Sequence, residues 1–546
     1  MIHRASRLLR TVRHLRPVQV YGRLWFRLSR PRPDLSPAPS LRPISGPWQP
    51  PACRAPALTG PGAFRLLNED GTLAAHGWDD PAKAKLWRYN QHYFDDLNAV
   101  SAVKRGAWHT ALIDDWIAAN PPGRGTGWEP YPTSLRIVNW VKWGLAGNSL
   151  DDTARRSLAI QTRWLMRRLE WHLLGNHLFA NAKALVFAGL HYDGREAARW
   201  LAKGTEILAR EIPEQILRDG GQFELSPMYH ALAVEDLLDL VNIARAFGRE
   251  DLAEAWGAHV PSMLRWLVTM TQPDGDLAFF NDTAIGIAPT TDQLLAYAEK
   301  LGFPAPPPLP DLLHLPDSGY VRLKRGLVVL IADLARIGPD YLPGHAHADT
   351  LSFELSLHGR RVIVNSGTSV YGLGPERLRQ RSTAAHSTVV IGGRDSSEVW
   401  SGFRVGRRAR PFDIDLRDEG GVLIATGAHD GYRHLPGSPV HRRTWELGDD
   451  ALILQDRIEG RGEHLVEVIF HLAPGLVPVQ LDQSEVEIRT QADAVLAVLS
   501  VRNGAVDVVP SSWHPEFGRS MSAYATHIKA QSALPITVET MLRWKE

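Results

Sequence analysis

A chain of 546 residues is longer than one hydrophobic core usually grows, so two or three domains are expected. Its 44% hydrophobic and 22% charged residues are those of a folded globular protein and exclude wholesale disorder. Sixty-one basic against 60 acidic residues leave a net charge of +1 and no global field for nucleic acid, while a lone cysteine, Cys53, excludes an internal disulfide and a cysteine-based zinc cluster.

Residues 1–58 form a basic, proline-rich segment with no acidic residue before Asp34. It reads either as a contact for an anionic surface or as a solvated amphipathic stretch. It contains no unbroken apolar run of the signal-peptide kind, and no window of the chain is long and apolar enough for a transmembrane span. A cytoplasmic location is therefore the default expectation, with the periplasm as the alternative.

From residue 59 to 302 tryptophan and leucine recur at three- and four-residue spacings, as in "SLRIVNWVKWGLAG" and "YHALAVEDLLDLVNIARAFG". That period predicts a stack of amphipathic helices. Residues 303–319 are proline-dense and are expected to be an interdomain linker. Beyond them, over 320–546, the period falls to two between Gly, Asp and Pro turns, which predicts a mainly antiparallel β-sandwich.

Three stretches carry candidate chemistry. In "GHAHADTLSFELSLHGRRVIVNSGT", strand alternation would point His345 and His347 the same way, and a turn at His358–Gly359 would bring Asn365 back towards them. His386 follows in "RSTAAHSTVV". Imidazole and oxygen donors at His347, Asn365 and His386 suit zinc. In "GGQFELSPMYHALAVEDLLDL", Ser226 followed by Pro227 reads as a helix N-cap with proline at the first helical position. Tyr229 then falls in the first turn, where the helix dipole is expected to lower its pKa towards that of a general base. In "WHLLGNHLFANAKALVFAGL", Asn176, His177 and Asn181 are polar groups in an apolar helical run and need partners or a cavity. Each stretch taken alone also has an ordinary structural explanation: surface histidines, a packed aromatic, satisfied core polar groups.

Together, "GNHLFANAKAL", "FELSPMYHALAVEDLLDL", "GHAHADTLSFEL", "VNSGT" and "RSTAAHSTVVI" resemble, in order and separation, the heparinase II/III-like polysaccharide lyases. The resemblance implies an α+β multidomain fold: an N-terminal (α/α) toroid of helical hairpins followed by a C-terminal antiparallel β-sandwich. It also implies β-elimination on a uronic-acid-containing polysaccharide. Asn176 and His177 would neutralise the uronate carboxylate, Tyr229 would serve as base or acid, and His345 would be its counterpart. His347, Asn365 and His386 would hold one structural Zn2+, with Asn365 standing where the family usually has aspartate.

Candidate substrate contacts are Trp128, Arg136, Asn139 and Glu224, with Trp140 and Trp143 also able to stack on sugars. Most of the 18 tryptophans are expected to be helix-packing residues. No basic cluster stands out in the cleft stretches, which favours a low-sulfate or unsulfated exopolysaccharide or an alginate- or hyaluronan-like polymer. Two other readings keep the fold: a glycan-binding or assembly protein without turnover, and a glycoside hydrolase using Glu224 and Asp282 as its two acids.

Overall fold

The computed structural model describes residues 2–545, so positions 1 and 546 of the expected terminal segments lie outside it. Two helices, α1 (Ile2–Val12) and α2 (Pro17–Leu28), come first, and an extended stretch follows them. The region expected to be helical then opens on a small antiparallel sheet, Leu58–Gly60, Ala63–Leu66 and Glu69–Thr72. Tight turns at Gly62 (φ 63°) and at Leu67–Asn68 (φ 54° and 61°) fold these strands of three or four residues, which are too short to show a period of two.

From Lys85 to Lys300 the chain is helical. The helix Gly175–His191 packs against both Pro130–Leu145 and Gly194–Gln215, and every residue from Leu178 to His191 is buried. A helix enclosed on all sides has no need of a polar stripe, and its polar exceptions Asn181 and Lys183 are paired within the core. The tryptophans pack the helices together. Trp116 and Trp140 are fully buried and meet edge to face at 5.9 Å, and Trp143 is also in this core.

The first strand of the C-terminal half, Leu312–Leu315, lies inside the segment expected to be linker. It forms one edge of a nine-stranded sheet that runs through Tyr320–Arg325, Val328–Asp333, Phe353–Leu357, Arg360–Val364 and Glu463–Leu472 to Met521–Ala533 and Ala505–Trp513. A second, eight-stranded sheet runs from Pro411–Glu419 to Leu476–Gln480, and all pairings in both sheets are antiparallel. Leu355, Val364, Trp445, Leu454, Phe470 and Leu499 are among the residues that share the sandwich core. The architecture is thus α+β, a helical N-terminal part and an antiparallel sandwich.

The hairpin turn falls at His358 (φ 50°) and Gly359 (φ 80°), between Phe353–Leu357 and Arg360–Val364, as the spacing predicts. His345 and His347 lie outside any strand, in the loop that joins Val328–Asp333 to Phe353–Leu357.

Gly367 combines φ 77° with an approach so close that a Cβ would run into the carbonyl of His514. Gly359 has a similar φ but open space around it. Gly367→Ala is expected to cost about 2–4 kcal/mol, and Gly359→Ala only about 1 kcal/mol, because a left-handed backbone penalises both while the clash burdens one. Chemical denaturation of the two variants checks this; equal costs would contradict the packing described at Gly367.

Candidate active site

The helix Pro227–Ala246 begins as its sequence dictates: the Ser226 hydroxyl accepts from Tyr229 N, and Pro227 sits at the first helical position. This places the Tyr229 ring 4.0 Å from that of His345, centre to centre. The Tyr229 hydroxyl is 3.1 Å from that of Tyr371, which is itself 3.5 Å from His345 Nδ1. The expected lowering of the Tyr229 pKa does not occur. Burial, with Tyr371 and Tyr131 close by, pushes it well above 10. Desolvation outweighs the helix dipole because the dipole acts at the backbone end of the residue, while the hydroxyl lies among other phenols.

His345 and His347 do share a site, though a loop rather than strand alternation brings them together. Both bind one carboxylate, Asp282: His345 through Nδ1 and His347 through Nε2, each at 2.8 Å. Arg377 grips the same carboxylate with two guanidinium nitrogens, one of them at 2.7 Å from Oδ2. Asp282 is fully buried, and burial opposes its charge, but Arg377 and the two imidazoles hold its pKa well below 3.8. An acid held ionised this firmly cannot donate a proton, and both its oxygens are taken by Arg377 and the two imidazoles, which leaves neither free to act as the base or nucleophile of a hydrolase. Glu224, also buried, lies 3.6 Å from His345 Nε2.

Asn176 and His177 occupy the first turn of Gly175–His191. His177 Nδ1 is 3.2 Å from Glu170 Oε1, and its ring leans on Tyr131 at 4.5 Å. Burial opposes protonation there, yet Glu170, with Glu224 and Glu129 further off, raises its pKa above 6.5. Asn176 is half-buried and has no partner among the described residues, so its amide is available to a ligand. Asn181 is instead satisfied within the core, by Glu170 and Ser134.

His177 is also one wall of a cavity of about 470 Å³ bounded by Tyr89, Trp128, Glu129, Glu170 and His172. Trp128 therefore reaches the cavity, although its indole N–H is committed to the Asn120 carbonyl. Arg136 and Asn139 do not reach it. The Arg136 guanidinium is fully buried, donates to Gln161 and to the carbonyls of His92 and Gly127, and stacks 3.8 Å from Trp116. The Asn139 amide is held by Tyr93, Asp95 and Asn98. Both polar groups tie loops to the helix Pro130–Leu145 and are not substrate contacts.

The donor set next to this site differs from the expected one. Asn365 spends its amide on the backbone, donating to Phe279 O and accepting from Ser387 N. The carboxylate grouped with His347 and His386 is Asp349, and the three ligand atoms lie within 4.8 Å of one another. His347 Nδ1 and His386 Nε2 are 3.1 Å apart. Two imidazoles on one tetrahedral cation would stand about 3.3 Å apart, so the set fits a divalent metal. Asp349 is fully buried, and burial, with the charge of Asp282 adding to it, raises its pKa to about 6. A cation at this point would relieve that cost.

Two stretches of the chain match family profiles. Heparinase II/III N-terminus covers residues 107–301, and Heparinase II/III-like, C-terminal covers residues 307–544. The chain belongs to the heparinase II/III-like family. A heparin-sulfate lyase of Bacteroides stercoris is 26% identical over 329 residues, 55% of this chain, and the match spans a little under half, 46%, of that relative's length. FtsZ-localized protein C of Caulobacter vibrioides is 26% identical over 90% of this chain and 86% of its own. The crystal structure of heparinase III superposes with a TM-score of 0.68 at 19% identity, over 87% of this chain and 79% of that one, which establishes a shared fold.

Tyr371, Arg377 and Asp349 were not singled out from sequence, although all three belong to the site. The readable signal lay in "GPERLRQR", where Arg377 and Arg381 of the helix Pro375–Arg381 are both buried and Arg381 pins the loop through Ala346 O. Because the Asp282 pKa is depressed, its pairing stabilises the fold above pH 3.8, and that contribution is lost as pH falls below this value. Asp282→Asn leaves Arg377 buried and unpaired, and is expected to cost about 3–5 kcal/mol at neutral pH. The difference from wild type should shrink on acidification. Denaturation curves at neutral and acid pH measure it, and equal stability at pH 7 would contradict the anchoring role.

Proposed function

We propose that this protein is a polysaccharide lyase that cleaves a uronic-acid-containing glycan by β-elimination. The observation that carries the reading is the Tyr229 ring against the His345 imidazole, 4.0 Å centre to centre, with Tyr371 joining the Tyr229 hydroxyl to His345 Nδ1. The C5 proton of a uronate is poorly acidic while the adjacent carboxylate is charged. Asn176, with a free amide, and His177, whose raised pKa favours the imidazolium, supply donors that neutralise it.

His345 gives its Nδ1–H to Asp282, which leaves Nε2 with a lone pair to take the C5 proton. The electrons of the C5–H bond form the C4=C5 double bond, and the bond from C4 to the leaving oxygen breaks. Tyr229, held protonated by its burial, donates to that oxygen. Tyrosine thus takes the acid role and histidine the base role, both from one side of the sugar.

A low-sulfate or unsulfated polymer is the proposed substrate class. The cavity wall carries Glu129 and Glu170, Lys85 is paired with Glu129 at 2.9 Å, and Arg168 is spent on the carbonyls of Phe26 and Ser29. That leaves little cationic surface for sulfate groups. His347, Asp349 and His386 are proposed to hold one Zn2+, whose chemistry here would be to brace the loop that carries His345.

A second reading, a glycan-binding or assembly protein without turnover, is favoured by one observation: the relative matched over 86% of its length is named for its localisation with FtsZ. The ultraviolet absorbance of the unsaturated uronate separates the two. Wild-type protein is expected to generate it on some member of a panel of bacterial exopolysaccharides, and Tyr229→Phe to slow it by about 10²- to 10⁴-fold. Glycan binding without absorbance across that panel would sink the lyase reading. For the metal, elemental analysis is expected to find close to one zinc per chain, reduced about tenfold or more in Asp349→Asn. Undiminished zinc in that variant would remove Asp349 from the ligand set.

A further inference from the structure

Exposed apolar side chains are concentrated at one place on this protein. Among the described residues, eight of the 22 large exposed apolar side chains fall within residues 8–28. On α2 they form one face. At about 100° per residue, Pro17, Val20, Tyr21, Leu24, Trp25 and Leu28 lie within an arc of about 140°. Tyr21, Leu24, Trp25 and Leu28 are 60–78% exposed. On α1, Ala5, Leu8, Leu9 and Val12 make a matching stripe.

The opposite faces hold both helices firmly to the body. Gly22 packs on His172, Phe26 stacks on His172 at 4.3 Å, and Gln19 donates to Tyr341 O. Arg10 binds Glu398, and Thr11 accepts from Trp400 of the C-terminal half. The apolar faces are therefore presented outward by a fixed scaffold, not left by a segment awaiting its place.

The charge around them is of one sign. Residues 4–32 hold nine arginines and no acid. Arg10 and Arg16 are paired, with Glu398 and Glu214, whereas Arg13, Arg23, Arg27, Arg30 and Arg32 have no acidic partner within ion-pair distance among the described residues. Arg23 and Arg27 sit at the edge of the apolar arc of α2, and after burial the largest influences on Arg23 are the like charges of Arg404 and Arg27. Apolar side chains with tryptophan among them, bordered by unneutralised arginines, match a lipid surface of negative charge. No described helix is long and apolar enough to cross a membrane, so such a contact would lie in the interface plane.

We propose that the α1 and α2 helices dock the protein on an anionic lipid bilayer. Phe26, on the anchored face of α2, lines the same cavity as His177. Docking through the opposite face of α2 therefore keeps that cavity near the membrane, close to glycan at the surface.

The test is co-sedimentation of the full chain with vesicles of equal parts phosphatidylcholine and phosphatidylglycerol, against phosphatidylcholine alone. Binding at least about tenfold stronger to the anionic vesicles, weakened by salt, is expected. Leu24→Glu/Trp25→Glu and, separately, Arg23→Glu/Arg27→Glu are expected to abolish it with thermal unfolding unchanged, since these side chains face outward. Equal sedimentation with both vesicle types, or wild-type sedimentation by the apolar variant, overturns the proposal. So does a concentration-dependent dimer, seen by light scattering and broken by Leu24→Glu/Trp25→Glu, if the wild-type chain ignores the vesicles; the face would then belong to a second copy. The charge-reversal pair keeps the test decisive should the apolar variant fail to fold.

Discussion

The carboxylate of Asp282 is the interaction on which the rest of the site depends. A fully buried charge is costly unless every lone pair is used, and here Arg377, His345 and His347 use them. The consequence reaches beyond stability. Each imidazole gives its N–H to Asp282, so each turns its other nitrogen away with a lone pair. For His345 that nitrogen is Nε2, on the side of Glu224; for His347 it is Nδ1, facing His386. One carboxylate thus fixes which nitrogen each of two histidines two residues apart turns outward, as the proposed base and the proposed metal ligand require. It also ties together three parts of the chain, the loop between the helices Val260–Thr269 and Thr291–Lys300, the loop of residues 334–352 and the helix Pro375–Arg381.

The electrostatics of the cleft follow from where burial is and is not compensated. Tyr229, Tyr371 and Tyr131 are buried phenols, and although Arg377 stands over the Tyr371 ring, burial outweighs it, so all three are pushed up. His177 is treated oppositely, because Glu170 stands beside it. The contrast suits elimination: a group that must stay protonated until the leaving oxygen departs, and a cation where a carboxylate is to be quieted. Helix position alone would have assigned Tyr229 the reverse role. A helix dipole contributes at most about 1 kcal/mol at an exposed end, whereas burial of a titrating group shifts its pKa by several units.

What sequence could foresee divides by range. The Ser226–Pro227 cap and the His358–Gly359 turn are local signals and appear where the residues place them, whereas the first strand comes at Leu312, inside the proline-dense stretch expected to be linker. The five ordered motifs identified the family because their order carries information that no one of them holds. Arg136 and Asn139 were misread because a polar residue on a tryptophan-rich helix looks the same whether it meets solvent, sugar or a buried carbonyl. Only the fold shows that Arg136 closes the Gly127 turn. Arg377 was missed for the complementary reason: its partner is 95 residues away, and nothing in a single sequence couples the two.

Asn365 is bound to the backbone at the position where the resemblance implies a metal ligand. The resemblance calls for an aspartate there, and a carboxylate could not do what this amide does, since it has no N–H to give Phe279 O while accepting from Ser387 N. With the amide joining two backbone segments, the negative charge that two neutral imidazoles need to bind a cation tightly falls to Asp349, buried within reach of both. Asp349 does not bear that burial lightly. Asp333, also fully buried, is pushed up by burial and by Asp349, so the two carboxyls cannot both ionise cheaply without a positive charge between the imidazoles and the acid. The arrangement makes sense as a scaffold if the amide sets the loop geometry and the displaced carboxylate supplies the charge, with His345 carried on the same loop.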